Sequence, residues 1–238
     1  MVKFGGIDGC RGGWFIIFFD SDRGWSCALY PNLESLWQEM KSASLLLIDI
    51  PIGLPEAAAN GRECDHLARK ILGGRSGSSL FPVPCREVLR CKNYTEANRV
   101  SRQLANKGLS VQSWNIGPKI VQADTLLRKS KSARSVFRES HPELCFAKLS
   151  GKPLTYKKNT PSGIEERLAI LKSHDPSVLV AVNEALERYR RKVVRKDDIL
   201  DAAVLALSAG EKGRVLSIPE KVPKDRYGLR MEITYREK

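Results

Sequence analysis

Residues 2–30 read VKFGGIDGCRGGWFIIFFDSDRGWSCALY, and this stretch decides the fold. Two clusters of turn-forming residues, Gly9–Gly13 and Asp20–Gly24, divide it into three apolar runs. These runs predict three strands, at Val2–Asp8, Trp14–Asp20 and Trp25–Tyr30. Consecutive strands that are joined by short turns are typical of an antiparallel meander.

The next part of the chain predicts a helix and a buried strand. Pro31-Asn32 precedes apolar residues at helical spacing through Met40, and Ser44–Ile50 is a continuous apolar run typical of a strand buried on both faces. Residues 56–133 are less regular and predict a mostly helical insertion or cap, with helical patterns at Glu63–Leu72, Thr95–Lys107 and Pro118–Arg128. Ser135–Glu139 resumes a strand pattern, which His141-Pro142 closes.

Helices dominate the C-terminal third. A capping-box match at Ser162 predicts a helix through Leu171, and the remaining predicted elements are a helix from Asp175-Pro176 to Arg190, a helix at Asp197–Ala209, a possible strand at Arg214–Ile218 and a charged surface tail from Pro219. This order predicts a single α/β domain over residues 1–238. We expect a mixed five-stranded sheet, an antiparallel meander plus parallel strands, flanked by helices.

Composition limits the possible classes of protein. The 238 residues include 40 Lys and Arg against 27 Asp and Glu, a net charge of +13. This excess favours a polyanionic partner, although a basic surface that serves only solubility is the alternative. The longest apolar run, Trp14–Phe19, is far shorter than the ~20 residues that span a bilayer, so we expect a cytoplasmic protein without membrane contact. The six cysteines form no C-x-x-C pair, and the spacing of Cys64, Cys85 and Cys91 fits no common zinc module.

Four acidic residues interrupt or end apolar segments. Asp8 ends the first strand, Asp49 lies within the fourth, and Glu139 ends the fifth. Asp201 lies in a helix that has almost no polar face, three residues after Asp198. An ionised carboxylate is rarely buried without a partner, because its desolvation is costly. Each of these residues therefore needs an explanation.

Each carboxylate also has a structural explanation. Asp8 and Asp49 could accept hydrogen bonds from turn amides, and Glu139 could pair with an arginine. Asp197 or Asp198 could cap the N-terminus of the last helix. Asp201 fits these explanations least well, because it lies beyond the first turn of the helix.

Convergence of the acids in one pocket would explain them together. Asp198 and Asp201 share a helix face, which could pack beside the strand ends that carry Asp8 and Asp49. Like charges repel one another unless a cation neutralises them, and oxygen ligands without histidine or cysteine favour Mg²⁺ or Mn²⁺. Enzymes that hydrolyse phosphodiesters use two such ions about 3.5–4 Å apart. We therefore expect a metal-dependent nuclease, with Glu139 as a further catalytic candidate from its position.

The sequence resembles the ribonuclease H-like superfamily in its first-strand aspartate, its meander, the acid on the next parallel strand and the late motif Asp198-Ile199-Leu200-Asp201-Ala202. More closely, it resembles an uncharacterised family of predicted nucleases of that fold, domain of unknown function 429. The segments that carry this resemblance are Gly6–Trp14, Ile48–Pro55, Arg62–Asp65, Arg75 with Phe81–Pro84, Gln112–Ile116, Pro118–Ile120, Glu139–Glu143 and the Asp198/Asp201 helix. The resemblance implies a two-metal carboxylate mechanism. It also implies a metal core of Asp8, Asp49 and Asp201, with Asp198 as a further ligand.

A nuclease should gather basic residues around its acidic pocket to bind DNA or RNA. The candidates follow strand ends or lie in the insertion, loops or helix starts: Arg11, Arg62, Arg75, Arg86, Lys119, Lys157 and Lys158. Two other functions stay open. One is a non-catalytic nucleic-acid-binding module that kept the fold. The other is a nucleotide-dependent kinase or ATPase of the actin type, because Asp8–Gly13 also resembles a phosphate hairpin; such proteins carry a second hairpin, and this sequence does not contain one.

Overall fold

The computed structural model describes residues 3–57, 61–73, 80–210 and 214–237. Within these ranges the chain forms seven strands: β1 (Lys3–Cys10), β2 (Gly13–Asp20), β3 (Gly24–Tyr30), β4 (Leu45–Ile48), β5 (Phe137–Glu139), β6 (Val215–Ile218) and β7 (Ile233–Arg236). It also forms ten helices: α1 (Leu33–Glu39), α2 (Glu63–Leu72), α3 (Arg86–Leu89), α4 (Tyr94–Ala105), α5 (Val111–Lys129), α6 (Lys131–Val136), α7 (Pro142–Ser150), α8 (Pro161–His174), α9 (Val178–Arg188) and α10 (Lys196–Ala209). No helix in these ranges is long and apolar enough to cross a membrane.

The central sheet has the strand order β3-β2-β1-β4-β5. β1, β2 and β3 form the antiparallel meander, whereas β4 pairs with β1, and β5 with β4, in parallel. The predicted mixed five-stranded sheet is therefore confirmed. The parallel register places Ile7 beside Ile48 and Ile48 beside Glu139, so the C-terminal ends of β1, β4 and β5 meet at one edge.

Helices cover both faces of the sheet because its strands are apolar on both sides. On one face, α10 crosses the centre of the sheet, and α7, α8 and α9 pack around it over Phe4, Phe15 and Leu47. On the other face, α1 and α5 cover Ile7 and Ile48. Two hydrophobic cores result, one on each face.

The segment between β4 and β5, which includes residues 56–133, contains α2 to α6, and most of its described residues in 56–133 are helical. α2 contributes Cys64 and Ala68 to the core on the α10 face, and α5 contributes Ile120 and Leu127 to the opposite core. α3 and α4 enclose a smaller apolar cluster around Val88. Parts of this segment thus belong to the body of the domain.

Several helices begin at residues other than those predicted. α9, predicted from Asp175-Pro176, begins at Val178, and Asp175 is the C-cap of α8. α5 begins at Val111, where the Ser110 hydroxyl accepts a hydrogen bond from the Ser113 amide at 3.0 Å, and Pro118 lies inside the helix. α8 begins at Pro161, because Thr160 caps it in place of Ser162. α7 was not predicted, since His141-Pro142 resembles a strand terminator and here forms the N-terminus of a helix.

The segment after Pro219 differs from the predicted surface tail. Residues 233–236 form β7, which pairs with β6 and is buried along its length. Thr234 also forms a parallel bridge with Ser140, directly after β5. Glu232 is buried and binds Arg138, with the Arg138 Nη2 atom 2.7 Å from the Glu232 Oε2 atom. The charges that suggested a surface location are therefore partly paired in the interior.

Candidate active site

Asp8 and Asp49 lie side by side at the C-terminal edge of the sheet. Asp8 is in β1, and Asp49 directly follows β4. The Asp49 amide donates a hydrogen bond to the Ile7 carbonyl at 2.9 Å, which extends the parallel register by one residue. Side chains alternate along a strand, so Asp8 faces the same side as Gly6, on which α10 packs.

Gly6 allows α10 to approach β1 closely. A Cβ atom at Gly6 would lie 2.2 Å from the Ala206 amide nitrogen and 2.3 Å from the Ala202 carbonyl oxygen, so no other residue fits there without a shift of the helix. Asp201 precedes Ala202 on this helix. The close contact thereby brings the buried carboxylate of Asp201 toward Asp8 at the sheet edge.

The three aspartates interact electrostatically. Burial, followed by the charges of Asp49, Asp201 and Asp198, raises the pKa of Asp8 well above its usual range. Burial and the charge of Asp201 raise the pKa of Asp49 to about 8. The pKa of Asp201 rises to about 6 through burial, against the lowering effect of Lys158. Mutual repulsion is what the convergence of these acids predicts.

Lys158 neutralises part of this cluster. Its ammonium Nζ atom lies 3.0 Å from the Asp201 Oδ2 atom and 3.6 Å from the Asp197 Oδ2 atom. Although burial opposes its charge, Asp201 and Asp8 raise the pKa of Lys158 above its usual range. The lysine lies in the exposed loop between α7 and α8, so the cation that contacts Asp201 comes from a surface segment.

The carboxylates do not form a complete metal site in this conformation. No three His, Cys, Asp or Glu side chains in the described ranges come close enough to hold a metal ion, and this includes Cys64, Cys85 and Cys91. The donor chemistry nevertheless suits a hard divalent cation, because Asp8, Asp49 and Asp201 present only carboxylate oxygens. The Asp201 Oδ1 atom is also buried and has no hydrogen-bond partner within the described chain. A cation would require these side chains to draw together and Lys158 to leave Asp201.

Glu139 has a different environment. Its carboxylate binds Arg62 through both oxygens, at 2.6 Å each, and its Oε2 atom accepts a hydrogen bond from the Ile52 amide at 2.6 Å. Because Glu139 pairs with Ile48 and not with Asp49, its side chain lies on the opposite face from Asp8. Arg62 also binds Asp65, so these three residues form a buried ion-pair network.

Asp198 caps α10. Its Oδ2 atom accepts a hydrogen bond from the Arg195 amide at 2.7 Å, as the structural explanation predicts. Asp198 still contributes to the raised pKa of Asp8. In the same way, the Asp8 Oδ1 atom accepts a hydrogen bond from the Gly9 amide at 2.7 Å. Asp8 therefore both binds a turn amide and belongs to the group of aspartates.

The predicted basic residues differ in their exposure to solvent. Arg11, Lys157 and Lys158 are exposed, and the two lysines line the cavity described below. Lys119 is half-buried and donates to the Gly13 carbonyl at 2.6 Å. Arg75 lies outside the described residues.

Arg62 and Arg86 differ from the expectation of a phosphate-binding surface. Both are buried, and Arg86 pairs with Asp124 and Asp225. Their guanidinium groups bind carboxylates of the protein because loops and the C-terminal segment fold over them. Neither residue therefore lies on an exposed surface, although Arg62 lines the cavity described below.

A cavity of about 740 Å³ opens beside the acidic cluster. Asp49 and Asp201 lie in its wall, together with residues that sequence reasoning did not assign: His141, Glu143, Tyr156 and Arg167. Burial lowers the pKa of His141 to about 4, so this imidazole is neutral at pH 7.

Arg167 carried a signal in the sequence. It is 2% exposed and binds Glu143, and it lies on the apolar stripe of α8 between Ile164 and Leu171. A charged residue on such a stripe is unusual, because a helix normally buries only apolar residues there. That position could have identified Arg167 as a residue with a buried partner.

The raised pKa values predict how stability depends on pH in metal-free protein. An aspartate whose pKa is higher in the folded than in the unfolded state holds a proton that unfolding releases. The free energy of unfolding therefore falls as pH rises from the unfolded pKa to the folded pKa. For Asp49 this window runs from about 4 to about 8. The free energy of unfolding of Asp49→Asn should therefore increase relative to the parent, by up to about 1.4 kcal/mol per pH unit within the window. Urea unfolding in EDTA measures this difference, and a constant difference from pH 4 to 8 would contradict it.

A protein-family model described as protein of unknown function (DUF429) matches residues 6–224. The match includes Asp8, Asp49 and the whole of α10. Neither the curated proteins nor the solved structures contain a significant match to the chain.

Proposed function

Because the chain belongs to this family of unknown function, we propose its activity from the site itself: it is a metal-dependent nuclease that hydrolyses phosphodiester bonds. The observation that carries the proposal is a group of three aspartates, each with a raised pKa. Asp8 and Asp49 lie at the ends of two adjacent parallel strands, and Asp201 approaches them from α10. Buried carboxylates that repel one another lower stability, and a divalent cation would relieve that repulsion.

The fold supports the same proposal. The antiparallel meander, the parallel strand that precedes Asp49 and the late helix that carries Asp201 are the elements on which the resemblance to ribonuclease H-like proteins rests. We propose that the domain has this fold. Fold alone does not establish chemistry, and the carboxylates are therefore the main support for a nuclease.

Asp8, Asp49 and Asp201 would hold Mg²⁺ or Mn²⁺, with Asp198 close enough to influence Asp8. A bound ion of this kind supplies an activated water and stabilises the leaving oxygen of a phosphodiester. Lys158 neutralises Asp201 until a cation arrives, and the exposed Arg11 and Lys157 attract the phosphate backbone. Glu139 binds Arg62 and lines the same cavity as Asp49, and its catalytic role stays a prediction.

A direct assay tests the proposal. Purified protein is incubated with labelled single-stranded DNA, duplex DNA and RNA in Mg²⁺, in Mn²⁺ and in EDTA, and ATP turnover is measured in parallel. We expect cleavage that requires a divalent cation and does not consume ATP. Binding without cleavage under every condition would favour a non-catalytic module, whereas ATP turnover would favour an actin-type enzyme. Either result would overturn the proposed activity.

Lys158→Gln should have opposite effects on the metal-free protein and on its affinity for Mn²⁺. The variant loses the cation that contacts Asp201, so metal-free protein should be destabilised by about 1–2 kcal/mol, a value reduced from that of a buried pair because the lysine is partly exposed. Mn²⁺ should bind the variant about tenfold more tightly, since no ammonium competes for Asp201. Urea unfolding and calorimetric titration measure the two effects. Lys152→Gln, in the same exposed loop, is the control, and an unchanged or weaker affinity for Mn²⁺ in Lys158→Gln would rule out competition.

A further inference from the structure

The cavity beside the aspartates has walls that hydrolysis itself does not require. We propose that it holds a single nucleotide unit of the substrate, with the phosphate at the N-terminus of α7 and the base against an apolar wall. This inference rests on the proposed function for its substrate class. It adds that the substrate is recognised through one unstacked nucleotide.

The size of the cavity suits such a ligand. Its volume of about 740 Å³ lies within the range of about 300–1,000 Å³ that small-molecule sites occupy. It is open to solvent on one side, and Asp49 and Asp201 lie in its wall, so a nucleotide inside it would lie beside the acidic cluster.

The N-terminus of α7 forms the polar end of the cavity. Ser140, His141, Pro142 and Glu143 line the cavity where the helix begins. His141 makes no side-chain cap, and helix N-termini favour anions through their free amides and dipole.

Arg167 is a second, independent feature of the same end. It lines the cavity, is 2% exposed, and its Nε–H has no acceptor within the described chain. Its Nη2 atom binds Glu143 and its Nη1 atom donates to the Gly163 carbonyl at 3.0 Å. A buried guanidinium with an unused donor beside a helix N-terminus points to an anionic ligand.

The other walls are apolar and aromatic. Leu80, Phe81, Val83 and Leu154 line them, and Tyr156 also lines the cavity, with 53% of its surface exposed. An exposed tyrosine beside an apolar wall provides a ring on which a base can stack.

The charged residues in the cavity wall determine where a phosphate can bind. Arg62 balances Glu139 and Asp65, Arg167 binds Glu143, and Lys158 binds Asp201. Lys157 and Asp49 also line the cavity, and neither takes part in these pairs. A phosphate therefore gains a favourable field at α7 and Lys157.

A geometric consequence follows for the substrate. A base that enters the cavity is not stacked in a helix, so single strands, ends or extruded nucleotides should fit and the interior of an intact duplex should not. Unstacking costs least where the nucleotide is already unpaired.

Calorimetric titration with AMP, adenosine and inorganic phosphate in Mg²⁺ tests this inference without requiring hydrolysis. We expect AMP to bind at least tenfold more tightly than adenosine or phosphate. Tyr156→Ala should weaken AMP binding about tenfold, and Tyr156→Phe should not, because the ring is kept. Lys157→Gln should weaken AMP binding, whereas Lys152→Gln removes the same charge outside the cavity wall and should leave it unchanged.

The outcomes distinguish this inference from the proposed activity. AMP binding no tighter than that of phosphate, or unaffected by Tyr156→Ala, would overturn the nucleotide site even if nucleic acid is cleaved. AMP binding with the expected sensitivities would support the site even if no nucleic acid is cleaved, in which case only the nuclease proposal fails.

Discussion

Asp8→Asn should lose hydrolytic activity by several orders of magnitude while nucleic-acid binding persists. The asparagine keeps the shape of the side chain and can still accept the hydrogen bond from the Gly9 amide, but it removes a charge needed to hold a divalent cation. Metal-free stability should be equal to or higher than that of the parent, because burial and three neighbouring carboxylates disfavour the Asp8 charge. Cleavage assays and urea unfolding, each with Mn²⁺ and with EDTA, measure these effects.

The response to metal provides a second measurement. Mn²⁺ at a hundred times its dissociation constant should stabilise the parent by roughly 2.7 kcal/mol and should not stabilise Asp8→Asn. Asp22→Asn removes the same charge in the exposed β2–β3 turn and should behave as the parent in every assay. Full activity in Asp8→Asn would exclude this aspartate from the chemistry. A marked loss of metal-free stability would instead assign it a structural role.

Arg62→Met should cause the largest loss of stability. The guanidinium is 2% exposed and binds Glu139, Asp65 and the carbonyl oxygens of Ile52 and Gly53. Its removal leaves two buried carboxylates without a counter-charge, which costs about 3–5 kcal/mol. Urea unfolding at pH 7 measures the loss.

A double variant tests the reason for that loss. Arg62→Met combined with Glu139→Gln should be more stable than Arg62→Met alone, because the neutral amide no longer leaves a charge buried. Arg188→Met breaks an exposed pair with Glu184 and should cost about 0.5 kcal/mol or less. Equal losses in the buried and the exposed arginine variants would show that the Arg62 network contributes little.

Local sequence patterns predicted the sheet well because its strands are apolar and its turns are rich in glycine. Asp8 and Asp49 could be identified as neighbours, since both lie at the ends of strands predicted to be parallel. Asp201 comes near them because α10 crosses β1 at Gly6. The convergence hypothesis predicted that the three aspartates lie together, but the sequence did not show where α10 crosses the sheet.

Long-range pairing could not be predicted in the same way. Arg62 and Glu139 are 77 positions apart, and Arg86 and Asp225 are 139 positions apart. A basic residue in a loop looks solvated until its partner is known, so Arg62 and Arg86 resembled surface residues. The segment after Pro219 misled for the same reason, because Glu232 and Asp225 bind arginines that lie far away in the sequence.

The packing of α10 on β1 has a consequence for the chain during its synthesis. Asp201 emerges from the ribosome about 190 residues after Asp8, a delay of roughly 10–40 s at 5–20 residues per second. Until α10 arrives, the sheet face at Gly6 lacks its cover and the carboxylates stand apart. A nascent chain thus has no assembled acidic centre while it lies beside ribosomal and messenger RNA. The arrangement of the fold delays assembly of the proposed nuclease centre until α10 has been synthesised.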